Sequence, residues 1–246
     1  MILVALDTAT PASVAGVLRA DGTVVEARDD PPPGSRGRHA ARLLPLLAEA
    51  MAEAGVAWEA VERIAVGVGP GGFTGLRIGV ATARALAQGR GLPLVPVSSL
   101  EALAQGANAG DVLMAEAGAG RVGGAVGAAI AGAPIIAAVL DARRSEVFAG
   151  AWGCAGAVLA PAALVPGALA ERLAALGAPV RAVGDGAVRF RAELEAAGIA
   201  VPADGAPEHR MAAGPFCRLG AAGAPADRDR LLPDYRREPD ATPPTP

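Results

Sequence analysis

An α/β fold of two similar lobes, each a mixed sheet with helices packed on it, is predicted by three features of the sequence. Short apolar runs alternate with helically spaced segments along the first hundred residues, in the order β-β-β-α-β-α-β-α. A meander followed by βα units places antiparallel and parallel pairing in one sheet. The plan then restarts, since the run 135–140 ends in Asp141 as the run 2–6 ends in Asp7, and 146–152 follows as a return strand.

Each element has a local cause. Residues 2–6 form an apolar run that reads as a buried strand, and strands over 12–18 and 23–28 flank the turn dipeptide Asp21-Gly22. Over 39–54 the apolar positions Leu43, Leu47, Met51 and Ala54 recur at helical spacing, and Gly55 ends the helix. Pro45 lies inside that pattern and is expected to kink the helix or mark its start. A strand over 61–68 runs into Gly69-Pro70-Gly71-Gly72-Phe73, with Thr74 as N-cap of a helix over 75–89. A strand over 92–97 follows, and Ser98 with Glu101 forms a capping box for the next helix. Farther on come a helix over 167–176, a strand over 180–183 and a helix over 188–197. The chain divides into an N-terminal lobe (1–105), a C-terminal lobe (106–225) whose last helix packs back on the first, and an extended or frayed tail (226–246). The Gly/Ala-rich stretch 110–132 reads as an insertion at the junction.

Composition narrows the function. Hydrophobic residues make up 52% and charged residues 19%, enough apolar material for a packed core and too little charge for a disordered chain. A net charge of −3 argues against autonomous nucleic-acid binding. Cys154 and Cys217 form neither a CxxC pair nor a disulfide framework, which suits reduced thiols. The opening residues lack a signal-peptide pattern, and the uncharged stretch between Arg121 and Asp141 is too rich in Gly, Ala and Pro for a membrane span, so a cytoplasmic protein without membrane contact is expected.

Two features can carry function. The loop 67–79, between a strand and a helix, presents backbone N–H groups where an anion can bind, though it is neither a Walker A loop nor a dinucleotide fingerprint; a plain tight turn is the competing interpretation. Asp7 and Thr8, at the end of a central strand, either serve phosphate chemistry beside that loop or merely cap a turn. In the following helix, Gly75, Gly79 and Ala83 leave a stripe nearly free of side chains beside Leu76 and Val80. That stripe admits a close helix, either 39–54 of the same chain or a partner's, with Arg77 and Arg84 as a polar rim; the partner is favoured. His39 and His209 are the only histidines, so neither HExxH nor HxxxH occurs, and no catalytic residue or metal ligand is assigned.

The stretch Gly69-Pro70-Gly71-Gly72-Phe73-Thr74-Gly75-Leu76-Arg77-Ile78-Gly79 resembles the loop-helix signature of the TsaB family. Further matches keep that family's order: Leu6-Asp7-Thr8-Ala9-Thr10, His39 with Leu43-Leu44-Pro45, Val97-Ser98-Ser99-Leu100, Asp141-Ala142-Arg143-Arg144, Gly184-Asp185-Gly186-Ala187 and Pro233-Asp234-Tyr235-Arg236. Gly72 stands where the family usually has Ser, and Phe148 where Tyr is common. The resemblance implies an actin-like, sugar-kinase and heat-shock ATPase (ribonuclease H-like) fold. It implies a non-catalytic subunit of the complex that places threonylcarbamoyl on the adenosine beside the tRNA anticodon. The partners implied are TsaD, which carries the HxxxH metal site, and the ATPase TsaE, with a homodimer where TsaD is absent and tRNA reached only through the complex. Cofactors are implied only at the level of the complex, as ATP and a divalent metal. The helices matching 39–54 and 75–90 would form the partner interface, with Leu43, Leu47, Gly75, Leu76, Arg77, Gly79, Val80, Ala83 and Arg84 as its residues. Asp7, Thr8, Gly69, Gly71, Gly72 and Thr74 are the candidate residues of a weak nucleotide site, formed by this chain alone or only within the complex. The alternative is a stand-alone kinase or ATPase of the same fold using Asp7 and the Gly69–Gly72 loop.

Overall fold

The computed structural model describes residues 1–32, 34–108 and 134–236. Two sheets carry the architecture. The first has the order β3-β2-β1-β4-β5, from β1 (Leu3–Asp7), β2 (Ser13–Leu18), β3 (Val24–Asp29), β4 (Arg63–Gly69) and β5 (Leu94–Ser98). The second has the order β8-β7-β6-β9, from β6 (Ile135–Arg143), β7 (Glu146–Gly153), β8 (Gly156–Leu164) and β9 (Val180–Val183). In both, an antiparallel meander lies beside a parallel strand: β1 pairs antiparallel with β2 and parallel with β4, as β6 pairs antiparallel with β7 and parallel with β9. The predicted duplicated plan of mixed sheets flanked by helices is the observed one.

The helices occupy three layers. α1 (His39–Ala54) and α2 (Phe73–Arg90) cover one face of the first sheet, and α4 (Pro166–Ala174), α5 (Asp185–Arg189) and α6 (Arg191–Ala196) cover the outer face of the second. Between the sheets lie α3 (99–108 of the described residues) and α7 (Ala213–Ala222). Covered on both faces, β1 is buried at all five residues, which explains its unbroken apolar run. The central cluster draws Leu3 and Ala65 from the first sheet, Leu100 and Leu103 from α3, Ile136 and Leu140 from the second sheet, and Phe216 from α7. α7 follows the second sheet in sequence yet packs on the strands of the first, where a Cβ at Gly220 would lie 2.4 Å from Ala65 Cβ.

Several boundaries differ from expectation. α1 spans the predicted residues and runs through Pro45, whose ring sits on the exposed side; Gly55 ends it in the left-handed region, φ 65°. α2 begins at Phe73 with Gly72 as its N-cap, so Thr74 lies inside the helix and caps nothing. Ser98 caps the next helix as predicted, its Oγ accepting the Glu101 N–H at 3.4 Å, which is one half of the predicted capping box. The predicted helix over 188–197 is two short helices, α5 and α6, and the sequence reading placed no bounds on β8 or α7. The tail follows the first sheet: Ala226 N–H donates to Leu94 O at 2.9 Å, and Leu231 is buried in the cluster under α1 and α2. The stretch 110–132 and the tail from 237 onward lie outside the described residues.

Candidate functional site

At the C-terminal end of β1, five buried polar side chains gather: Asp7, Thr8, Ser13, His39 and Ser99. Asp7 Oδ1 accepts from Ser99 Oγ at 2.9 Å, and Oδ2 accepts from Ala9 N–H at 3.1 Å. A Cβ at Gly67 would lie 1.9 Å from Oδ1, so only glycine fits beside the carboxyl. Burial pushes the Asp7 carboxyl up from 3.8 to about 6, against the hydrogen bonds from Ser99, Ala9 and Thr8.

The glycine loop is closed onto this strand end. Gly69 sits at φ 104°, a conformation that glycine adopts without strain. Gly72 N–H donates to Ala9 O at 2.7 Å, and a Cβ at Gly71 would lie 2.3 Å from the same oxygen. Thr8 Oγ1 donates to Gly75 O at 2.8 Å. Asp7, Thr8, Gly69, Gly71 and Gly72, proposed from sequence as a nucleotide set, are therefore brought together, but Ala9 O takes the Gly72 N–H. Thr74 is exposed on the first turn of α2, apart from this contact.

The stripe on α2 has its partner within the chain. Cβ atoms at Gly75 and Gly79 would lie 2.1 Å from Thr8 O and 2.3 Å from Thr8 Oγ1. Gly75, Leu76, Gly79, Val80 and Ala83 are buried, as are Leu43 and Leu47 of α1. The expectation that these seven residues lie on a partner surface is thus corrected: Thr8, just past β1, fills the space beside Gly75 and Gly79, and Leu43, Leu47, Val80 and Ala83 pack in the cluster beneath the two helices. Arg77 remains exposed and Arg84 half-buried. The solvent face of the helix pair is formed instead by Ala41, Leu44, Pro45, Ala48 and Ala52 on α1, and by Ala81 and Ala85 on α2. Spacings of three and four residues align each set into a stripe of small or apolar side chains, bordered by the exposed Glu49 and Glu53 on α1 and by Arg77 in the row of Ala81 and Ala85 on α2.

One pairing was not legible beforehand. Ser13 Oγ and His39 Nδ1 are 2.8 Å apart, bringing together residues 26 positions distant. The arrangement has a hydrolase's nucleophile-base spacing, yet Ser13 is 0% and His39 8% exposed. Burial lowers the His39 pKa, with Asp29 opposing, so the neutral ring ties the start of α1 to β2. In the second lobe, Asp141, two residues before the end of β6, follows the buried apolar run as Asp7 does in the first. Its N–H donates to Asp185 Oδ1 at 3.0 Å, and Arg189 donates to its Oδ2 at 2.7 Å. Among the described residues, no group of three or more His, Cys, Asp or Glu is placed to hold a metal ion, and no helix is long and apolar enough to cross a membrane.

Fold and site together define a duplicated α/β protein whose glycine loop is packed against the end of its own central strand. The family described as TsaD, tRNA N6-adenosine threonylcarbamoyltransferase, matches residues 31–160. A Mycobacterium tuberculosis protein without an assigned function is 33% identical over 98% of this chain and 94% of its own length. The Escherichia coli tRNA threonylcarbamoyladenosine biosynthesis protein TsaB is 37% identical over 60% of this chain. Its Haemophilus influenzae namesake is 40% identical over 44%. The matched regions span 53% and 43% of those two relatives, about half their length. A Pseudomonas aeruginosa structure described as similar to the peptidase YeaZ superposes with a TM-score of 0.72 at 30% identity, covering 96% of this chain and 99% of that one. The chain belongs to the TsaD family and is a TsaB-type protein within it.

Proposed function

We propose that this chain is an accessory subunit in the formation of threonylcarbamoyladenosine in tRNA. It docks a TsaD-family transferase through the solvent face of α1 and α2 and contributes no catalytic group of its own. The observation that carries this is the exposed strip of small and apolar side chains on the two helices, Ala41, Leu44, Pro45, Ala48 and Ala52 on α1 with Ala81 and Ala85 on α2, bordered by Glu49, Glu53 and Arg77. The polar groups at the end of β1, by contrast, are buried and hydrogen-bonded within the lobe. Small side chains let a partner's helices approach closely, and Leu44, 52% exposed, supplies apolar area for burial. The names of the TsaB relatives and the TsaD family match supply the pathway. In this reading ATP, a divalent metal and tRNA are bound by the other subunits, TsaE among them. The same face pairs two copies of the chain when TsaD is absent. A kinase or ATPase reading fits less well, because Asp7 is 1% exposed and both of its oxygens are engaged.

Ala48→Arg and Ala81→Arg test the proposal. Both positions are exposed, so the variants fold as the parent does by circular dichroism. Titration calorimetry with a TsaD-family transferase should show each weakening association at least about a hundredfold, as expected for charge forced into a desolvated contact. Unchanged affinity in both variants refutes the assigned face.

A further inference from the structure

The chain has seven aromatic residues, four Phe, two Trp and one Tyr. The large ones inside, Phe148, Trp152 and Phe216, build the central cluster. Phe73 and Tyr235 are instead 40% and 41% exposed. They are 162 residues apart in sequence, yet their ring centroids are 5.2 Å apart. Arg77 joins them: its guanidinium carbon lies 3.9 Å from the Phe73 centroid and 6.0 Å from that of Tyr235. Its Nε donates to the Tyr235 hydroxyl at 3.0 Å.

The tail brings Tyr235 there by a fixed route. Arg84 donates to Asp229 O at 2.9 Å, Leu231 is buried beneath α2, and Asp234 N–H donates to Val68 O at 2.7 Å. Tyr235 is therefore one residue beyond a backbone anchor, and the Arg77 stack restricts its ring. Phe73 and Arg77 stand in one row with Ala81 and Ala85, at successive intervals of four along α2. The cluster thus continues the face assigned above to the partner and differs from the rest of it in kind. The stripes are small and flat, whereas the cluster is a rigid aromatic and guanidinium projection. Tyr, Arg and other large planar groups carry a disproportionate share of binding energy at protein interfaces, because they bury much area at little cost in rotamer entropy.

We propose that Phe73, Arg77 and Tyr235 are the anchor by which this face grips its partner, a TsaD-family transferase, with Tyr235 supplied by the C-terminal segment. The proposal rests on the docking role assigned to α1 and α2. It makes the tail part of the interface, and it requires on the transferase an apolar recess rimmed by hydrogen-bond acceptors for the guanidinium.

Full-length Phe73→Ala, Tyr235→Ala and Tyr235→Phe are compared by titration calorimetry with the transferase, and by hydrogen exchange along α2 in the free chain. Loss of either ring should weaken binding at least about tenfold, with the double variant less than additive because both rings share Arg77. Tyr235→Phe, which keeps the ring, should stay within about threefold of the parent. Exchange along α2 should not change. The anchor is overturned if both alanine variants bind as the parent does while Ala48→Arg abolishes binding, an outcome that leaves the docking face intact. It is also overturned if affinity falls together with faster exchange along α2, since Tyr235 would then act by holding the helix. Should Ala48→Arg bind normally as well, the docking role of the face fails with it.

Discussion

A carboxyl group sealed inside a lobe must be protonated or hold its charge against the loss of water. Asp7 has hydrogen bonds from Ser99 and Ala9, but burial outweighs them, and its pKa stands near 6 instead of 3.8. Between those values the native state binds the proton more tightly than the unfolded chain does. Stability from this group is therefore complete below about pH 4, declines as the pH rises through 6, and stays lost above it, by roughly 3 kcal/mol in all. Asp7→Asn carries no such titration. Urea denaturation at pH 4 and pH 7.5 should show the variant gaining on the parent by up to about 3 kcal/mol at the higher pH. A parent-variant difference that is the same at both pH values refutes the raised pKa. The sequence located Asp7 correctly at a strand end, because the apolar run stops there. Its burial was not legible, since the groups that enclose it, Gly67 and Ser99, come from β4 and α3.

Within α2, glycine costs helix stability, and the structure states what offsets the cost. At Gly75 the end of β1 approaches so closely that a methyl group would lie 2.1 Å from the Thr8 carbonyl oxygen, which belongs to backbone that cannot swing aside. At Gly89, on the last turn of the same helix, nothing lies within 4 Å of an added methyl. Helix propensity alone favours alanine at both sites by about 1 kcal/mol. The contacts reverse the sign at one of them. Gly89→Ala should raise stability by up to about 1 kcal/mol, whereas Gly75→Ala should lower it by at least about 2 kcal/mol through overpacking. Thermal melts of the two variants decide it, and a stabilised Gly75→Ala would mean that β1 does not occupy the groove. The spacing of Gly75, Gly79 and Ala83 thus announced a close approach faithfully, but spacing cannot say whose backbone makes it. Other elements were obscured by composition. β8 is largely Gly, Ala and Pro with little β-branched content, and α7 has Gly214, Pro215 and Gly220 within ten residues.

At the scale of the whole molecule, the two sheets are duplicates in plan but do not have separate cores. α3 and α7 lie between them, and the central cluster takes side chains from both sheets and both helices. α3 touches the second sheet, where a Cβ at Gly184 would lie 2.9 Å from Leu103 Cδ2, and it holds Asp7 of the first through Ser99. α7 approaches the first sheet at Gly16 and Gly220 and meets α3 where Pro215 faces Gly106. Neither sheet can lose its inner covering without exposing the other's. The lobes should consequently unfold together, in one calorimetric transition whose van't Hoff and calorimetric enthalpies agree. Phe216, 1% exposed in the middle layer, tests the coupling directly. Phe216→Ala should cost about 3–5 kcal/mol, a cavity-sized loss, and lower that single transition as a unit. Two resolved transitions, with only one displaced by Phe216→Ala, would show that each sheet keeps a core of its own and that the shared layer does not couple them.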